Sequence, residues 1–396
     1  MMIEFTRKIF IHIKWVLKRI FVYLYCNGFK NNHPVNPMQI VFFSFQDAYT
    51  CNLKYICDEI IHRGKGYHII WVIRDENTRL NDFPNGIKIV RYGTLEYYRA
   101  ITTAKVFIAN AFCFTRGYFS PGKEQFYFQT MHGSLGLKRI DSQAVNDKRR
   151  NKRAEKDALL TTHIFSNSRF ETEVYESSFW RKEIILETGH ARNDIFFWSR
   201  KRQNTIKKKV YEYFGIDENC KLAMFAPTVR LKEEKFHYEP IHYQAVIDIL
   251  SEKFGGKWFV LYRKHHSTKN EEKEELPLYV INADTYPDIQ ELMIAIDYAI
   301  TDYSSWIYDY VLTHKPGALY VPDLKEYDQG RGFYYSISEV PFPVTKSNDE
   351  LIAAISAFNE DVFEQRVEAF LAKRGCIDDG NAASRIADLI ESYTLS

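Results

Sequence analysis

The stretch Tyr298–Val321 gathers the polar groups best placed to do chemistry. An apolar run, Tyr298–Thr301, ends at Asp302, Ser304 and Ser305 follow, and Trp306–Leu312 carries apolar groups at helical spacing until Lys315-Pro316-Gly317 stops it. Ala318–Val321 then reads as the next strand. A strand, turn, helix, strand unit of this kind sets two hydroxyls and a carboxylate where backbone N–H groups and a helix N-terminus receive an anion. The alternative is that a serine simply caps the helix. The same placement recurs: His132, Thr228, Arg230, Arg263 and His265 each follow an apolar run, the position at which open parallel sheets bind ligands. Each has a bland explanation by itself. His132 could be a core histidine, Thr228 a turn hydroxyl, His265 an exposed loop residue; their shared placement argues for a site.

Several chemistries are excluded by what these residues lack. His265 and His266 are adjacent, but neighbouring side chains on an extended loop point in different directions, and no His-x-x-x-His or Asp-x-Asp spacing accompanies them. A bound metal is therefore not expected. With no Gly-x-Ser-x-Gly elbow, Walker loop or Gly-x-Gly-x-x-Gly fingerprint, nucleophilic serine chemistry, ATP hydrolysis and nicotinamide chemistry are disfavoured, and no cofactor is expected. A net charge of +2 with 26% charged residues gives no reason to invoke nucleic acid. The six cysteines form no Cys-x-x-Cys pair, so neither zinc nor a disulfide framework is indicated and a reducing cytoplasm fits.

The elements that must position these residues follow a regular alternation. Residues 3–25 come first, with Phe5, Ile9, Phe10, Ile13, Trp15, Leu17, Ile20, Phe21 and Leu24 interleaved with Arg7, Lys8, Lys14, Lys18 and Arg19. The basic residues leave too short an uncharged run to span a bilayer or serve as a secretory signal. The segment reads as an amphipathic helix, lying in an anionic membrane interface or packed on the domain behind it, with the interface preferred. After the linker His33–Pro37, strands are expected at Gln39–Phe45, Tyr67–Ile73, Ile87–Val90, Val106–Asn110, Gln125–Met131, Ile164–Ser166 and Ile184–Glu187, with helices at Cys51–His62 and Asp147–Asp157. A basic segment, Arg200–Lys209, precedes a second set of strands: Lys221–Phe225, Trp258–Arg263, Leu278–Ile281 and the Tyr298–Val321 unit, with a helix at Tyr243–Phe254. Residues 349–372 and 381–393 read as C-terminal helices.

Strands alternating with helices imply parallel βαβ units, hence an α/β protein of two Rossmann-like domains. The expected division is residues 1–37 for the amphipathic helix and linker, 38–200 for an acceptor-side domain, 201–348 for a nucleotide-donor domain, and 349–396 for the C-terminal helices.

His132-Gly133-Ser134, Ala226-Pro227-Thr228-Val229-Arg230, Arg263-Lys264-His265, Ile300–Ser305 with Tyr308-Asp309, and Arg331-Gly332-Phe333-Tyr334 occur in that order. Together they resemble the ordered motifs of CDP-glycerol glycerophosphotransferases, the teichoic-acid primases and polymerases with relatives in capsule synthesis. The likeness runs from about Gln39 to Tyr335, with a fainter echo at Asp379–Ile390. It implies a GT-B type fold with its site in the cleft between the domains, and transfer of glycerol phosphate, or another polyol phosphate such as ribitol phosphate, from a CDP-polyol to an acceptor hydroxyl, releasing CMP without a metal. The implied acceptor is a lipid-linked or polymeric glycan at the cytoplasmic face of the membrane. Carried over, His132 is the general base. Arg263, His265, Thr228, Ser304, Ser305 and Arg331 are donor-phosphate ligands with Arg230 beside them, and Asp302 orients a neighbour. His265 keeps the Arg-x-His spacing and is preferred to His266 as the functional histidine. Ser134-Leu135-Gly136-Leu137 departs from the usual Thr-Pro-Leu-Lys, which leaves acceptor contacts in that loop open. The rivals are a nucleotide-sugar glycosyltransferase on the same architecture and an inactive membrane-bound scaffold of polysaccharide assembly.

Overall fold

The short apolar runs assemble into two all-parallel sheets, each covered on both faces, as near-continuous hydrophobic strands require. In the computed structural model the described residues are 13, 16–17, 20–26, 28–29, 32–114, 119–133, 136, 138–140, 148–228, 239–264, 275–325 and 332–395. The first sheet comprises β1 (Asn36–Phe43), β2 (His68–Ile73), β3 (Lys88–Arg91), β4 (Ala104–Ala109), β5 (Phe126–Gln129), β6 (His163–Ser166) and β7 (Ile185–Glu187), in the order β3-β2-β1-β4-β5-β6-β7. The second comprises β8 (Lys221–Phe225), β9 (Trp258–Tyr262), β10 (Val280–Asn282), β11 (Tyr298–Thr301), β12 (Gly317–Tyr320) and β13 (Val344–Thr345), in the order β10-β9-β8-β11-β12-β13.

Both orders reverse direction once. The chain runs outward from β1 through β2 to β3, then returns to add β4 on the other flank; β8 and β11 repeat the manoeuvre. At such a switch point the connections leave to opposite faces of the sheet and open a crevice at the carboxyl ends of the strands. The two crevices fall at Phe43/Ala109 and at Phe225/Ile300.

Helix α1 (Cys51–His62) buries Leu53, Ile56, Cys57 and Ile60, one face of a helical repeat, while α2 (Leu95–Thr103) starts where the Thr94 hydroxyl accepts from the Tyr97 N–H. The charge-dense helix is α3 (Lys148–Leu160), followed by α4 (Arg169–Glu176). The basic segment forms the start of α5 (Arg200–Phe214), which pairs Lys209 with Glu291 on α7 (Ile289–Ala295) at 2.7 Å. Between them lies α6 (Tyr243–Phe254).

Two local expectations are revised. The helix expected over Trp306–Leu312 is the single turn α8 (Trp306–Tyr310), tightening to a 3₁₀ turn at Val311–Thr313 before His314 takes φ 56°. The run 349–372 is two helices, α9 (Asn348–Ser356) and α10 (Glu360–Arg374), because Asn359 leaves the helical region and its side chain accepts from the Val362 N–H as a new cap. The last helix, α11 (Ala382–Thr394), crosses back to the first sheet, where the Tyr393 hydroxyl meets His163 Nε2 at 2.7 Å. Its first N–H groups, Ala382 and Ala383, donate to the buried Asp194 carboxylate at 3.0 and 2.8 Å.

Residues 20–26 are helical. Val22 and Cys26 are buried in the apolar cluster that includes Tyr97, Tyr98 and Ile101, and Arg99 Nε donates to the Tyr25 hydroxyl at 2.9 Å. Ile13, Leu17, Ile20, Phe21 and Leu24 are exposed. Among the described residues no helix is long and apolar enough to cross a membrane.

Candidate active site

The carboxyl ends of the two sheets face each other across a cleft of about 1470 Å³, lined from one side by Phe45, Asn110 and His132 and from the other by Arg263, Ser304 and Ser305. On the first sheet the three central strands β1, β4 and β5 supply the wall. Asn110, at the end of β4 and buried, accepts the Phe45 N–H on its Oδ1 at 2.8 Å. Its backbone carbonyl stands 2.7 Å from His132 Nδ1, and the His132 ring stacks on Phe45 at 4.6 Å with planes within 1°. A carbonyl oxygen only accepts, so in the neutral ring Nδ1 carries the proton and Nε2 is the basic nitrogen. The loop before it is held as firmly: Met131 takes φ 49°, its N–H donates to Gln129 Oε1 at 3.1 Å, and its carbonyl accepts from Asn52 Nδ2 at 3.3 Å.

On the second sheet β9, β8 and β11 supply the wall. Thr301 Oγ1 and Trp306 Nε1 both donate to the Ala226 carbonyl, at 2.7 and 3.0 Å. Asp302, buried, accepts from the Thr228 N–H at 2.9 Å and from its hydroxyl at 2.8 Å. The motifs around Thr228 and Asp302 are thus one knot joining two adjacent strand ends, with Asp302 orienting its neighbour. Thr228 and Asp302 stand behind the wall, whereas Ala226 and Pro227 line it. Ser305 has helical φ and ψ (−71°, −17°) and makes no cap bond, and the half-buried hydroxyls of Ser304 and Ser305 have no hydrogen-bond partner among the described residues. The capping alternative therefore loses its contact. The helix behind them is also too short for a sizeable dipole, so what this turn offers an anion is hydroxyl and backbone donors.

Arg263 borders the cleft and donates from Nη1 to the carbonyls of Ala283 (2.8 Å) and Tyr286 (2.7 Å), which aims the guanidinium while burial draws its pKa down. Arg230, His265, His266 and Arg331 lie outside the described residues, as does Ser134. Gly332, Phe333 and Tyr334, the rest of the Arg331 motif, are tied down by three contacts. Arg139 N and Nε donate to the carbonyls of Gly332 (3.3 Å) and Phe333 (3.2 Å), and Ile140 N donates to the Tyr334 hydroxyl at 3.1 Å. The last motif is therefore stitched to the segment just after the His132 loop, across the two domains. Among the described residues no three His, Cys, Asp or Glu side chains cluster as a metal site.

Sequence reasoning missed Phe45, Asn110, Asn52 and Arg192. The usable signal was position: Phe45 and Asn110 follow the apolar runs of β1 and β4, as His132 and Thr228 follow theirs. Arg192 follows β7 in Gly189–Asp194 and forms a buried ion pair with Asp309, through Nε at 2.8 Å and Nη2 at 3.1 Å. Burial opposes its charge, but Asp309, Cys51 and Glu171 together hold its pKa raised.

The comparisons with known proteins agree with this fold. The teichoic acid poly(glycerol phosphate) polymerase of Staphylococcus epidermidis is 28% identical over 374 residues, covering 90% of this chain and 51% of that protein, so the chain spans about half of that relative's length. The polymerase of the same description from Bacillus spizizenii is 26% identical over 371 residues, covering 90% of this chain and 92% of that one. The solved structure of the wall teichoic acid polymerase TagF superposes with a TM-score of 0.81 at 27% identity, covering 99% of this chain and 98% of that one, which establishes the GT-B arrangement of the two sheets. The family model for CDP-glycerol:poly(glycerophosphate) glycerophosphotransferases matches residues 26–392, and the chain belongs to that family of transferases.

Proposed function

We propose that this protein transfers glycerol phosphate, or a related polyol phosphate, from a CDP-polyol to a hydroxyl of a teichoic acid, capsule or surface glycan, releasing CMP. The observation that carries the reading is the oriented imidazole of His132, with Nδ1 bound to the Asn110 carbonyl, across a cleft from Arg263, Ser304 and Ser305. The cleft exceeds the roughly 300–1,000 Å³ typical of a single small-ligand pocket, which suits a nucleotide donor and a glycan end bound together.

In the transfer step this arrangement supports, the acceptor oxygen attacks the phosphorus that bears the polyol. The P–O bond to the CMP phosphate breaks, and the acceptor proton passes to His132 Nε2. Phosphoryl transfer depends mainly on positioning and charge stabilisation. Arg263, Ser304 and Ser305, joined by His265 and Arg331, would meet the diphosphate and the charge that develops on the leaving oxygen. Asp302 and Thr228 hold the turn in shape, and the likeness of the Ala226–Arg230 motif adds Arg230 to the donor ligands.

The acceptor would be lipid-linked or polymeric, reached at the cytoplasmic face of the membrane. The exposed apolar residues Ile13, Leu17, Ile20 and Leu24 fall on one helical face, away from the buried Val22 and Cys26. That division supports a helix that packs on its domain with one edge and rests on an anionic membrane surface with another. Mass spectrometry of the products from CDP-glycerol, CDP-ribitol and a lipid-linked acceptor extract tests the function: CMP with a phosphodiester-linked product is expected. Turnover of a nucleotide sugar instead would establish a glycosyltransferase, and turnover of no donor would establish a scaffold.

A further inference from the structure

Asn52 stands in the first turn of α1 and is 1% exposed. Its Nδ2 donates to the carbonyls of Thr130 (3.2 Å) and Met131 (3.3 Å), the two residues before His132. Its Oδ1 accepts the backbone N–H of Arg192 at 3.0 Å. The Arg192 guanidinium in turn holds Asp309 through Nε and Nη2, at 2.8 and 3.1 Å. Asp309 lies on α8, which opens directly after Ser305. A chain of polar contacts therefore runs from the loop of the candidate base in one domain to the turn of the candidate phosphate ligands in the other.

Three features set this chain apart from an ordinary packing contact. Cys51, beside Asn52, and Met131, whose carbonyl Asn52 holds, have φ of 60° and 49°, a region that non-glycine residues enter at a cost and that clusters at functional sites. The ion pair is fully buried, with side chains 1% and 6% exposed; such pairs stabilise little relative to apolar replacements, whereas the planar fork of arginine fixes both distance and angle. Finally, Arg192 Nη1 is buried without a hydrogen-bond partner among the described residues, on a side chain that borders the cleft.

We propose that Asn52, Arg192 and Asp309 form a positioning relay that sets His132 at working distance from Ser304 and Ser305. The proposal rests on the transfer reading of this cleft. The relay touches neither the transferred phosphorus nor the attacking oxygen; it fixes the separation of the groups that do. Displacements of about 1 Å far from the chemistry can cost on the order of 100-fold in rate.

A double-mutant cycle of Asn52→Ala and Asp309→Asn in the full chain tests it. The two side chains share Arg192 as partner, so each single variant should lower kcat for CMP release about 10- to 100-fold, and the pair should lose little more than the worse single. Affinity for CDP-glycerol should stay within about threefold, since the relay leaves the ligands themselves intact. Losses in kcat that multiply to within a factor of about two would mark independent sites and overturn the relay. Arg192→Lys keeps the charge and removes the fork, and wild-type kcat in that variant would also overturn it. If a single variant fails to fold, the apolar pair Arg192→Met with Asp309→Leu preserves packing; it should fold and still lose kcat, and wild-type kcat in it would sink the proposal. If the wild type releases no CMP from either CDP-glycerol or CDP-ribitol, the transfer reading has failed, and the relay is judged without turnover. The titration midpoint of His132, followed by NMR, should then move in both Asn52→Ala and Asp309→Asn, and an unmoved midpoint in both rejects it.

Discussion

His132 Nδ1 lies 2.7 Å from the backbone carbonyl oxygen of Asn110, so in the neutral ring Nε2 is the nitrogen left basic for the proposed role. Replacing His132 by Gln keeps a side chain able to donate to that carbonyl but removes the basic nitrogen. Turnover is expected to fall about 100- to 10,000-fold, the usual contribution of a general base, with affinity for CDP-glycerol nearly unchanged. Steady-state kinetics and calorimetry on the same preparation check both halves. A variant retaining more than about a tenth of the wild-type rate, far above that expectation, removes His132 as the base.

Ser304 and Ser305 line the cleft without a capping bond, which separates the donor-binding role proposed for them from any role in stability. The double change to Ala should shift the denaturant midpoint by no more than about 0.5 kcal/mol equivalent. Each lost hydrogen bond to a charged phosphate should weaken CDP-glycerol by about 1.5–3 kcal/mol. Unchanged affinity with a lowered midpoint would return both serines to a structural role.

Asp194 accepts the first N–H groups of α11, and burial, with Asp378 and Asp379 nearby, pushes its carboxyl up to about 7. A carboxyl whose folded pKa exceeds its unfolded value, 3.8, binds more protons when folded. Its contribution is therefore full below pH 3.8 and is lost as pH rises through about 7. Between those values the wild type should lose stability relative to Asp194→Asn, at up to about 1.4 kcal/mol per pH unit. Urea midpoints of both proteins at several pH values in that window give the slope; parallel curves would contradict the assignment.

Val22 and Cys26 are part of the first domain's core, so deleting the N-terminal segment would disturb packing as well as any membrane contact. The outer face can be tested alone. Leu17→Ser with Leu24→Ser changes two exposed residues, 60% and 63% accessible, and should leave the melting temperature within a degree or two, as surface changes do. Binding to anionic vesicles should fall several-fold, with salt weakening what remains. Vesicle binding equal to the wild type would mean that the segment is only a packed element of the domain.

Local order was legible wherever a short apolar run or a helical repeat was closed by its own neighbours. The strands Lys221–Phe225 and Tyr298–Thr301 and the helices Cys51–His62 and Tyr243–Phe254 have the limits that their patterns predict. The alternation of strand and helix likewise announced parallel sheets, and the polar residues after the strands announced which ends would face the cleft. Where helix and turn compete within a few residues, as after Tyr310 and at Asn359, propensity alone was insufficient, because packing and a cap decide the break. The order of strands within each sheet was beyond pattern altogether. It brings β1, β4 and β5 side by side, and so places Phe45 and Asn110 against His132. Arg192 and Asp309 are 117 positions apart, and no period or spacing links them. Their pairing exists because the packing of two distinct sheets presses a guanidinium and a carboxylate into one buried place, where each charge needs the other.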